Sequence, residues 1–480
     1  MKRVLNTETK KYLGKKVRVC GWVNKIRSHG KIIFFDLRDK SGVLQIVFST
    51  NTKEKVYELA EKVRPEWVIE ITGEVRKRPK EMINLKLETG EIEVEAEDLE
   101  ILSKAKTLPF SISTSGYEIN EEKRLKYRYL DLRRERLKKN LKIRQKLIQF
   151  IREFLIKEGF LEIETPILTK STPEGARDFL VPARLQPGKF YALPQSPQQY
   201  KQMLMIAGTE KYFQIAKCLR DEDPRKDRQA EHTQLDLEMS FVSQKDILNL
   251  IERLHLNLVK KLFPKKRIMK FPFPKITYKK AMEKYKSDKP DVRRNKSDPN
   301  ELAFCFITDF PMFEWHEKEK RPACNASRSD AGRWGAMHHP FTKPQTENTA
   351  EIKKNPEKIL AHQYDFVLNG YEIGGGSIRT INLDVLLTVF EILGHKRSEI
   401  KKQFKHYFEA FSFGVPPHGG IAIGIDRLLA TILGELSIRE VIAFPKTGDN
   451  RDLMMDLPNE VGKEQLKELH IKIAKRRTKK

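Results

Sequence analysis

The chain has 480 residues, of which 39% are hydrophobic and 33% are charged, so it is long enough for two or three domains with separate cores. It contains no apolar run of about 18 residues, which excludes a membrane-spanning helix, and its start, MKRVLNTETKKYLGKKVRV, is too polar for a secretory signal peptide. The formal net charge of +26 favours a polyanionic partner such as a nucleic acid, although a generally lysine-rich proteome would give the same excess. The four cysteines lie far apart without a CxxC pair, which argues against disulfides or zinc and predicts a cytoplasmic location.

The first hundred residues predict a small β-barrel. Short β-rich segments such as KIIFFDLRD and VLQIVF are separated by turns, and one helical stretch, KEKVYELAEKVR, precedes the segment EWVIEITGEVRKR. Five strands with one inserted helix are typical of an OB-fold, which binds single-stranded nucleic acid on a strand face. We therefore predict an OB-fold over residues 1–103, with Phe34, Phe35, Gln45 and Phe48 on or near that face. Burial in the barrel core is the alternative for each aromatic residue.

The following segment predicts a linker, a helix and an interrupted strand. Residues 104–134 are polar or basic and are expected to be a linker. An amphipathic helix is predicted over about residues 135–158, with Gly159 as its stop signal. The segment FLEIETPIL then predicts a strand interrupted by Pro166. A proline removes a ladder donor, so this strand is expected at a sheet edge or a subunit boundary.

A β-hairpin with a charged loop is predicted from KYFQIAKCLR to EHTQLDLEMSF. From Thr233 the second strand alternates strictly, which places Gln234, Asp236 and Glu238 on one face and apolar residues on the other. Most charges of the loop are expected to be solvated. Arg220 and Asp236 belong to the strands themselves and are therefore candidates for ligand contacts.

Two further segments carry candidate polar residues. HGGIAIGIDRLLATILG predicts a strand that turns directly into a helix at Asp426. Arg427 in the first turn of that helix opposes the local dipole, which indicates a bound phosphate rather than a stabilising role. In YDFVLNGYEIGGGSIR, the carboxylates of Asp365 and Glu372 precede Arg379 and suit Mg²⁺, although a β-bulge with incidental acids explains that motif equally well.

Four other patterns bear on the kind of site. The turn in STPEGARDFLVP predicts a lid, and LPQSPQQYKQMLM predicts a helix start. His338 and His339 are adjacent and point to different sides of an extended chain, so they are not expected to bind one metal, but one of them could donate to a carboxylate. No GxxxxGK[ST] or GxGxxG segment follows a strand, which excludes a P-loop or a dinucleotide-binding fold.

These segments, in this order, resemble the signature motifs of class II aminoacyl-tRNA synthetases, and within that class the bacterial-type aspartyl-tRNA synthetases. GFLEIETPIL is similar to motif one, which builds the dimer interface of the family. CLRDEDPRKDRQAEHTQLDLEMSF is similar to motif two, and HGGIAIGIDRL to motif three. The resemblance covers nearly the whole chain. It implies an α+β fold, with an N-terminal OB-fold barrel and a class II catalytic domain over residues 135–480 that is built on an antiparallel sheet flanked by helices.

The resemblance also implies an activity. It predicts that L-aspartate reacts with ATP, in the presence of Mg²⁺, to give aspartyl-adenylate, which is then transferred to the 3′ end of tRNA(Asp). Some members of the family also charge tRNA(Asn), and His29 favours this relaxed form. A homodimer without membrane contact is expected. Catalysis would consist of positioning and electrostatic stabilisation, without a protein nucleophile.

The resemblance assigns roles to individual positions of this sequence. Those expected at ATP are Arg220, Asp221, Glu222, Gln229, His232, Glu372, Gly424, Ile425, Asp426 and Arg427. Those expected at aspartate are Glu174, Ser196, Gln198, Lys201, Arg220, Gln234, Asp236, His338, His339 and Arg379. Arg220, Arg427 and Glu372 are expected to be catalytic, Asp365 and Glu372 to hold Mg²⁺, and Lys201 and Arg379 to clamp the side-chain carboxylate of the substrate. Arg27, His29, Phe34, Gln45 and Glu93 are expected at the anticodon.

Three departures from the family pattern stand out. His232 occupies the position where the family has a phenylalanine stacked on adenine. The insertion domain of bacterial members is expected to be missing near residues 288–300. The segment 314–337 is longer and more basic than the corresponding hairpin of the family, and we assign it no function.

Three alternatives remain at this point. A lysine-specific sister enzyme would need acidic residues where this chain has Lys201 and Arg379. An asparagine-specific sister enzyme would lack this double positive clamp. A non-catalytic OB-fold binder with a decayed synthetase domain would have lost residues such as Arg220 or Arg427. A tRNA-independent paralogue that makes asparagine would lack the barrel.

Overall fold

The computed structural model describes residues 1–171, 176–223, 225–317 and 332–474. The chain divides into two compact units, Met1–Ser111 and Ile112–Lys480. The expected lid residue Glu174 lies outside the described residues. Within the described ranges, no helix is both long enough and apolar enough to cross a bilayer.

The N-terminal unit is the predicted OB-fold barrel. Its five strands close in the order β1-β2-β3-β5-β4, with α1 (Glu54–Lys62) between β3 and β4. The strands are β1 (Lys16–His29), β2 (Ile32–Arg38), β3 (Val43–Phe48), β4 (Val68–Lys77) and β5 (Ile92–Ser103).

The barrel core corrects the placement of two aromatic residues. Phe35 and Phe48 are fully buried in contact with each other, with ring centroids 4.8 Å apart. They belong to the core, as the alternative expectation held, and not to a ligand face. Phe34 is only partly buried, because successive side chains of β2 point to opposite faces of the sheet.

The second unit is built on an eight-stranded sheet in the order β12-β14-β17-β18-β19-β10-β9-β6. The neighbours from β14 to β9 are antiparallel, as predicted, whereas the two edge strands pair in parallel. The sheet strands are β6 (Leu161–Glu162), β9 (Lys211–Leu219), β10 (Glu231–Ser240), β12 (Lys275–Thr277), β14 (Phe304–Thr308), β17 (Gln363–Leu368), β18 (Tyr371–Ile378) and β19 (His418–Gly424). The remaining strands form two-stranded sheets and are β7 (Leu180–Pro182), β8 (Phe190–Ala192), β11 (Arg267–Ile268), β13 (Glu301–Leu302), β15 (Phe313–His316) and β16 (Arg333–Ala336).

Helices cover the sheet. Two long ones, α4 and α6, contribute Leu147, Ile151, Ile247 and Ile251 to the main core, together with Leu237 of β10. The helices are α2 (Glu121–Lys126), α3 (Arg128–Asp131), α4 (Glu135–Lys157), α5 (Gln198–Ile206), α6 (Gln244–Leu262), α7 (Tyr278–Tyr285), α8 (Thr349–Lys354), α9 (Leu383–Ile392), α10 (Arg397–Gln403), α11 (Lys405–Ser412), α12 (Ile425–Leu433) and α13 (Lys463–Glu468).

The interrupted strand is shorter than predicted. Only Leu161 and Glu162 pair with β9, and they form the edge of the large sheet. The edge position agrees with the effect of Pro166 on the ladder. The chain beyond this edge exposes Ile167 and Leu168, which are 54% and 51% accessible.

The boundary between the two units falls after Ser111, inside the segment 104–134 that is expected to be a linker. The second half of that segment belongs to the catalytic unit, because Asp131 is fully buried there and accepts hydrogen bonds from Arg124, Arg128 and Arg134. Arg124 also donates to Glu440, at 2.8 Å. The basic run is therefore neutralised by internal carboxylates instead of being solvated.

One buried histidine, His255, lies in the hydrophobic core. His255 of α6 packs against Phe366, with ring centroids 4.7 Å apart, and its Nδ1 lies 2.9 Å from the carbonyl oxygen of Ile251. Its Nε2 has no hydrogen-bond partner among the described residues. Burial lowers the pKa of His255 to about 4.

We expect His255 to make the fold sensitive to acid. The neutral imidazole is favoured in the folded state, so its stability contribution is fully present above the unfolded pKa of about 6.5 and is lost as the pH falls towards 4. Between pH 7 and pH 5 this loss amounts to about 2 kcal/mol. Denaturant unfolding of the wild type and of His255→Leu at both pH values measures it, and the variant should show a smaller decrease. The exposed His470→Asn is the control, and an equal pH dependence in all three proteins would contradict the prediction.

Candidate active site

A cavity of about 310 Å³ lies at the centre of the large sheet. It is bounded by α5, the hairpin β9–β10, the strands β18 and β19, and the start of α12. The predicted site residues that line it are Ser196, Gln198, Lys201, Arg220, Glu222, Gln229, His232, Gln234, Asp236, His338, His339, Glu372, Arg379, Gly424, Asp426 and Arg427. Segments far apart in the sequence are thus brought to one cavity.

Two buried cations form one end of the cavity. The ammonium of Lys201, on α5, lies 3.0 Å from Asp236 Oδ1 and 3.0 Å from Glu238 Oε2. Arg379 follows β18 and donates from Nε to Glu238 Oε1 at 2.8 Å and from Nη2 to Oε2 at 3.0 Å. Lys201 and Arg379 are each only 2% accessible, so water screens their charges poorly and they interact strongly with neighbouring charged groups.

Glu238 is the residue that sequence reasoning did not assign to the site. Burial would raise the pKa of Glu238, but Arg379 and Lys201 lower it to about 2. Its neighbour across the sheet is Gly420, where a Cβ atom would lie 2.1 Å from Glu238 Oε2. The strict alternation of β10 places Glu238 on the same face as Asp236, and this pattern is the sequence feature that indicates Glu238 as a site residue.

Neighbouring side chains orient Arg379 within the cluster of Lys201, Arg379, Asp236 and Glu238. Arg379 Nη1 donates to His339 Nε2 at 2.9 Å and to Ser377 Oγ at 2.5 Å. Burial raises the pKa of Asp236, and Lys201 partly offsets this effect. Asp236 is therefore the carboxylate of the cluster that is least compensated, and it is the natural partner for a further cation in the cavity.

The other end of the cavity carries two arginines and a neutral histidine. Arg220, at the end of β9, donates from Nε to the carbonyl of Gln195 at 3.4 Å. His232 is the second residue of β10, and burial together with the charges of Arg220 and Arg427 lowers its pKa to about 3. His232 is therefore uncharged at neutral pH and offers a polarisable ring.

Arg427 occupies the first turn of α12, as predicted. Its Nη1 donates to the carbonyl of Glu372, and its Nη2 lies 3.4 Å from Asp227 Oδ2. In the same loop as Asp227, Arg228 donates to Glu222 Oε2 at 2.6 Å. The arginine that would face a phosphate is thus paired with a loop carboxylate.

The two predicted metal ligands form an acidic pair on adjacent strands. Burial, and then repulsion by Asp365, raise the pKa of Glu372. Asp365 accepts from Gln363 Nε2 at 3.1 Å and lies 3.2 Å from His338 Nε2. At Gly375 a Cβ would come within 2.9 Å of Asp365 Oδ1, so a side chain there would displace the carboxylate.

This donor set fits Mg²⁺. Two carboxylates supply hard oxygen ligands, and the raised pKa of Glu372 indicates an excess of negative charge that a cation would relieve. The part of the chain that the structure describes has no group of three or more metal-ligating side chains. A magnesium ion here would complete its coordination with oxygen atoms from a substrate or from water.

Three predicted ATP residues lie differently from the others. The side chain of Ile425 is buried in the main hydrophobic core, so only its backbone is available to a ligand. Asp221 does not line the cavity, and its backbone bridges to Arg177. Asp426 lines the cavity, but its carboxylate accepts from Arg144 at 2.5 Å and from the amide of Thr233 at 2.9 Å.

The barrel brings the predicted anticodon residues together on one face. Arg27 donates to Gln45 Oε1 at 3.1 Å, and Gln45 donates to Glu93 Oε2 at 2.8 Å. Phe34 is the cross-strand neighbour of Arg27, and its ring lies 6.3 Å from that of His29. Burial raises the pKa of Glu93. An aromatic ring beside a hydrogen-bonded polar row is typical of base recognition on OB-folds.

Comparisons with known proteins agree with this geometry. Residues 120–448 match a family model described as tRNA synthetases class II (D, K and N), and residues 17–102 match one described as an OB-fold nucleic acid binding domain. The aspartate–tRNA(Asp/Asn) ligases of Rubrobacter xylanophilus and Caldanaerobacter subterraneus are 40% and 41% identical to the chain, over 96% of it and 95% and 96% of their own lengths. The aspartate–tRNA ligase of Staphylococcus carnosus is 38% identical over 97% of the chain and 98% of its own length.

A solved structure is also similar. Asparaginyl-tRNA synthetase from Pyrococcus horikoshii, complexed with asparaginyl-adenylate, matches with a TM-score of 0.73 and 25% identity, over 93% of this chain and 98% of that one. The chain therefore belongs to the class II tRNA synthetases, and within them to the aspartate–tRNA ligases.

We expect Glu238 to contribute strongly to the free energy of unfolding of the protein. Glu238→Gln leaves two buried cations with a single carboxylate, and breaking such a buried cluster costs about 3–5 kcal/mol. Glu231→Gln is the matched control on the same strand, because Glu231 pairs with Lys217 at an exposed position and such pairs contribute about 0–1 kcal/mol. Denaturant unfolding measures both variants, and equal small losses would contradict the prediction.

Proposed function

We propose that the protein activates L-aspartate with ATP to aspartyl-adenylate and transfers the aspartyl group to the 3′ end of tRNA. The observation that carries this proposal is the meeting of the Lys201–Glu238–Arg379 cluster and the Arg220–Arg427 pair in one cavity. The first set is suited to a small diacid, and the second to a triphosphate.

The charge balance of the first set supports aspartate as the substrate. Asp236 would bind the substrate ammonium, which leaves Lys201 and Arg379 facing the single carboxylate of Glu238. The remaining positive charge matches the side-chain carboxylate of aspartate. A neutral asparagine side chain would leave a buried cation unpaired, and mispairing of this kind can exclude a substrate by about 10⁴-fold.

The second set supports the chemical step. The α-carboxylate of aspartate attacks the α-phosphorus of ATP, the new phosphorus–oxygen bond forms, and pyrophosphate leaves. Arg220 would neutralise charge between the two reacting groups, and Arg427 would hold the triphosphate. The neutral ring of His232 would stack on adenine. Mg²⁺ held by Asp365 and Glu372 would supply charge neutralisation at the phosphates.

The tRNA partner is proposed from the barrel and the relatives. The face around Arg27, Phe34, Gln45 and Glu93 would read the anticodon. Two of the relatives described above act on tRNA(Asp/Asn) by name, which supports a relaxed enzyme that charges both tRNAs. His29 would contribute to that choice.

Three further features belong to the proposal. The apolar side chains exposed around β6, including Ile156, Leu161 and Ile167, support a homodimer through this region. The alignments with relatives extend over 584 and 586 residues, more than the 480 of this chain, so those relatives carry segments that it lacks. A missing insertion domain near residues 288–300, and a cytoplasmic location, complete the proposed picture.

We expect Arg379→Leu to abolish aspartate-dependent ATP–pyrophosphate exchange. The variant removes half of the carboxylate clamp and unbalances Glu238, whereas the anticodon residues lie in the other unit, so tRNA binding should remain nearly unchanged. Arg397→Leu is the control, because Arg397 pairs with Glu391 on a partly exposed helix. Exchange that survives in Arg379→Leu would show that the pocket is wrongly assigned.

We expect the purified enzyme to charge tRNA(Asp) and tRNA(Asn) with aspartate, because the relaxed form is favoured by His29 and by the relatives. Charging of the two tRNAs is measured side by side with radiolabelled aspartate, and in parallel reactions with radiolabelled asparagine or lysine. Charging of tRNA(Asp) alone would establish a strict enzyme. Charging with asparagine or lysine would contradict the proposed substrate.

A further inference from the structure

A buried ion pair lies directly behind the ATP end of the cavity. Arg144 of α4 does not line the cavity, but its Nη1 donates to Asp426 Oδ1 at 2.5 Å and to the carbonyl of Val441 at 3.4 Å. The other oxygen of Asp426 accepts from the amide of Thr233 at 2.9 Å. The side chains of Arg144 and Asp426 are 17% and 5% accessible, so water screens this pair poorly.

The contacts of this pair fix two ligand-facing residues at once. Thr233 directly follows His232 on β10, and Asp426 directly precedes Arg427 on α12. His232 and Arg427 both line the cavity. A carboxylate at Asp426 is also favoured by the positive end of the α12 dipole. One ion pair therefore holds the backbone at both ends of the proposed ATP subsite.

The same face of α4 holds a third part of that subsite. Asn140, one turn before Arg144, donates to Glu435 Oε1 at 2.6 Å and to the carbonyl of Glu440 at 3.1 Å. Within the segment so anchored, Ser437 Oγ donates to the carbonyl of Lys226 at 2.9 Å. Lys226 precedes Asp227, the residue that pairs with Arg427.

We propose that Arg144, supported by Asn140, is a positioning residue for ATP: it holds His232 and Arg427 in place through Asp426. This inference rests on the proposed function. It assigns to α4 a role in nucleotide affinity in addition to its packing in the core. The aspartate cluster is held by its own contacts among α5, β10 and β18, so it should keep its geometry when the pair is removed.

The test separates the two substrates. In aspartate-dependent ATP–pyrophosphate exchange, Arg144→Met should raise KM for ATP by about 10- to 100-fold, because small displacements of positioning groups have effects of this size. KM for aspartate should change by less than about twofold, as expected when one substrate's binding is selectively weakened. Arg144→Lys keeps the charge and should recover part of the ATP affinity.

A double variant distinguishes positioning from fold stability. Arg144→Met combined with Asp426→Asn removes both charges, so the melting temperature should recover towards that of the wild type while KM for ATP stays high. Recovery of KM together with the melting temperature, or an equal rise in both KM values, would overturn the proposal. Arg253→Met is the matched control, because Arg253 pairs with Glu158 at an exposed position, and it should leave both KM values unchanged.

Equilibrium binding of ATP supplies a readout that does not require the reaction. It is measured by calorimetry on the wild type, on Arg144→Lys and on Asp426→Asn. The two variants keep the inference testable if Arg144→Met does not fold. Weaker ATP binding by these two variants supports the inference, and unchanged binding overturns it. If the wild type binds ATP but shows no aspartate-dependent exchange, the proposed function fails while the positioning role of Arg144 is still decided.

Discussion

The structure depends above all on the balance of four buried charges at the end of the cavity. Lys201, Arg379, Asp236 and Glu238 are each at most 2% accessible, and removing such groups from water is costly unless they pair closely. Helix α5 and strands β10 and β18 must therefore meet at hydrogen-bonding distance. The glycine opposite Glu238 makes this approach possible, because any side chain there would collide with the carboxylate. The fold and the substrate charge are set by the same contacts.

Strand β10 connects this cluster to the hydrophobic core. Its Leu235 and Leu237 are buried against α4 and α6, while Asp236 and Glu238 face the cavity. A shift of register by one residue would place the carboxylates in the core and the leucines in the site. The apolar face of β10 thus fixes the register of the strand, and with it the position of the two carboxylates.

Patterns of local origin could be predicted from the sequence, and long-range pairings could not. The period-two alternation of β10 and the apolar stripe of α4 gave correct elements, because each reports one buried face. The sequence predicts a linker at the arginines of residues 124–134, because one of their main partners, Glu440, lies about three hundred positions away. The core positions of Phe35 and Phe48 required the closure of the barrel, and the role of Glu238 required knowledge of which two cations approach its strand.

At the proposed ATP end of the cavity, loop carboxylates balance the charges of the arginines. Arg427 is paired with Asp227 and Arg228 with Glu222, so loop carboxylates stand where phosphate charge would be bound. These loop pairs are partly exposed and thus weak, whereas the Arg144–Asp426 pair behind them is buried. In the proposed function, a triphosphate would replace these loop pairs at low cost, while the Arg144–Asp426 pair would keep His232 and Arg427 in place. ATP affinity would then be the difference between phosphate contacts and the loop pairs that they displace, with the geometry fixed by α4.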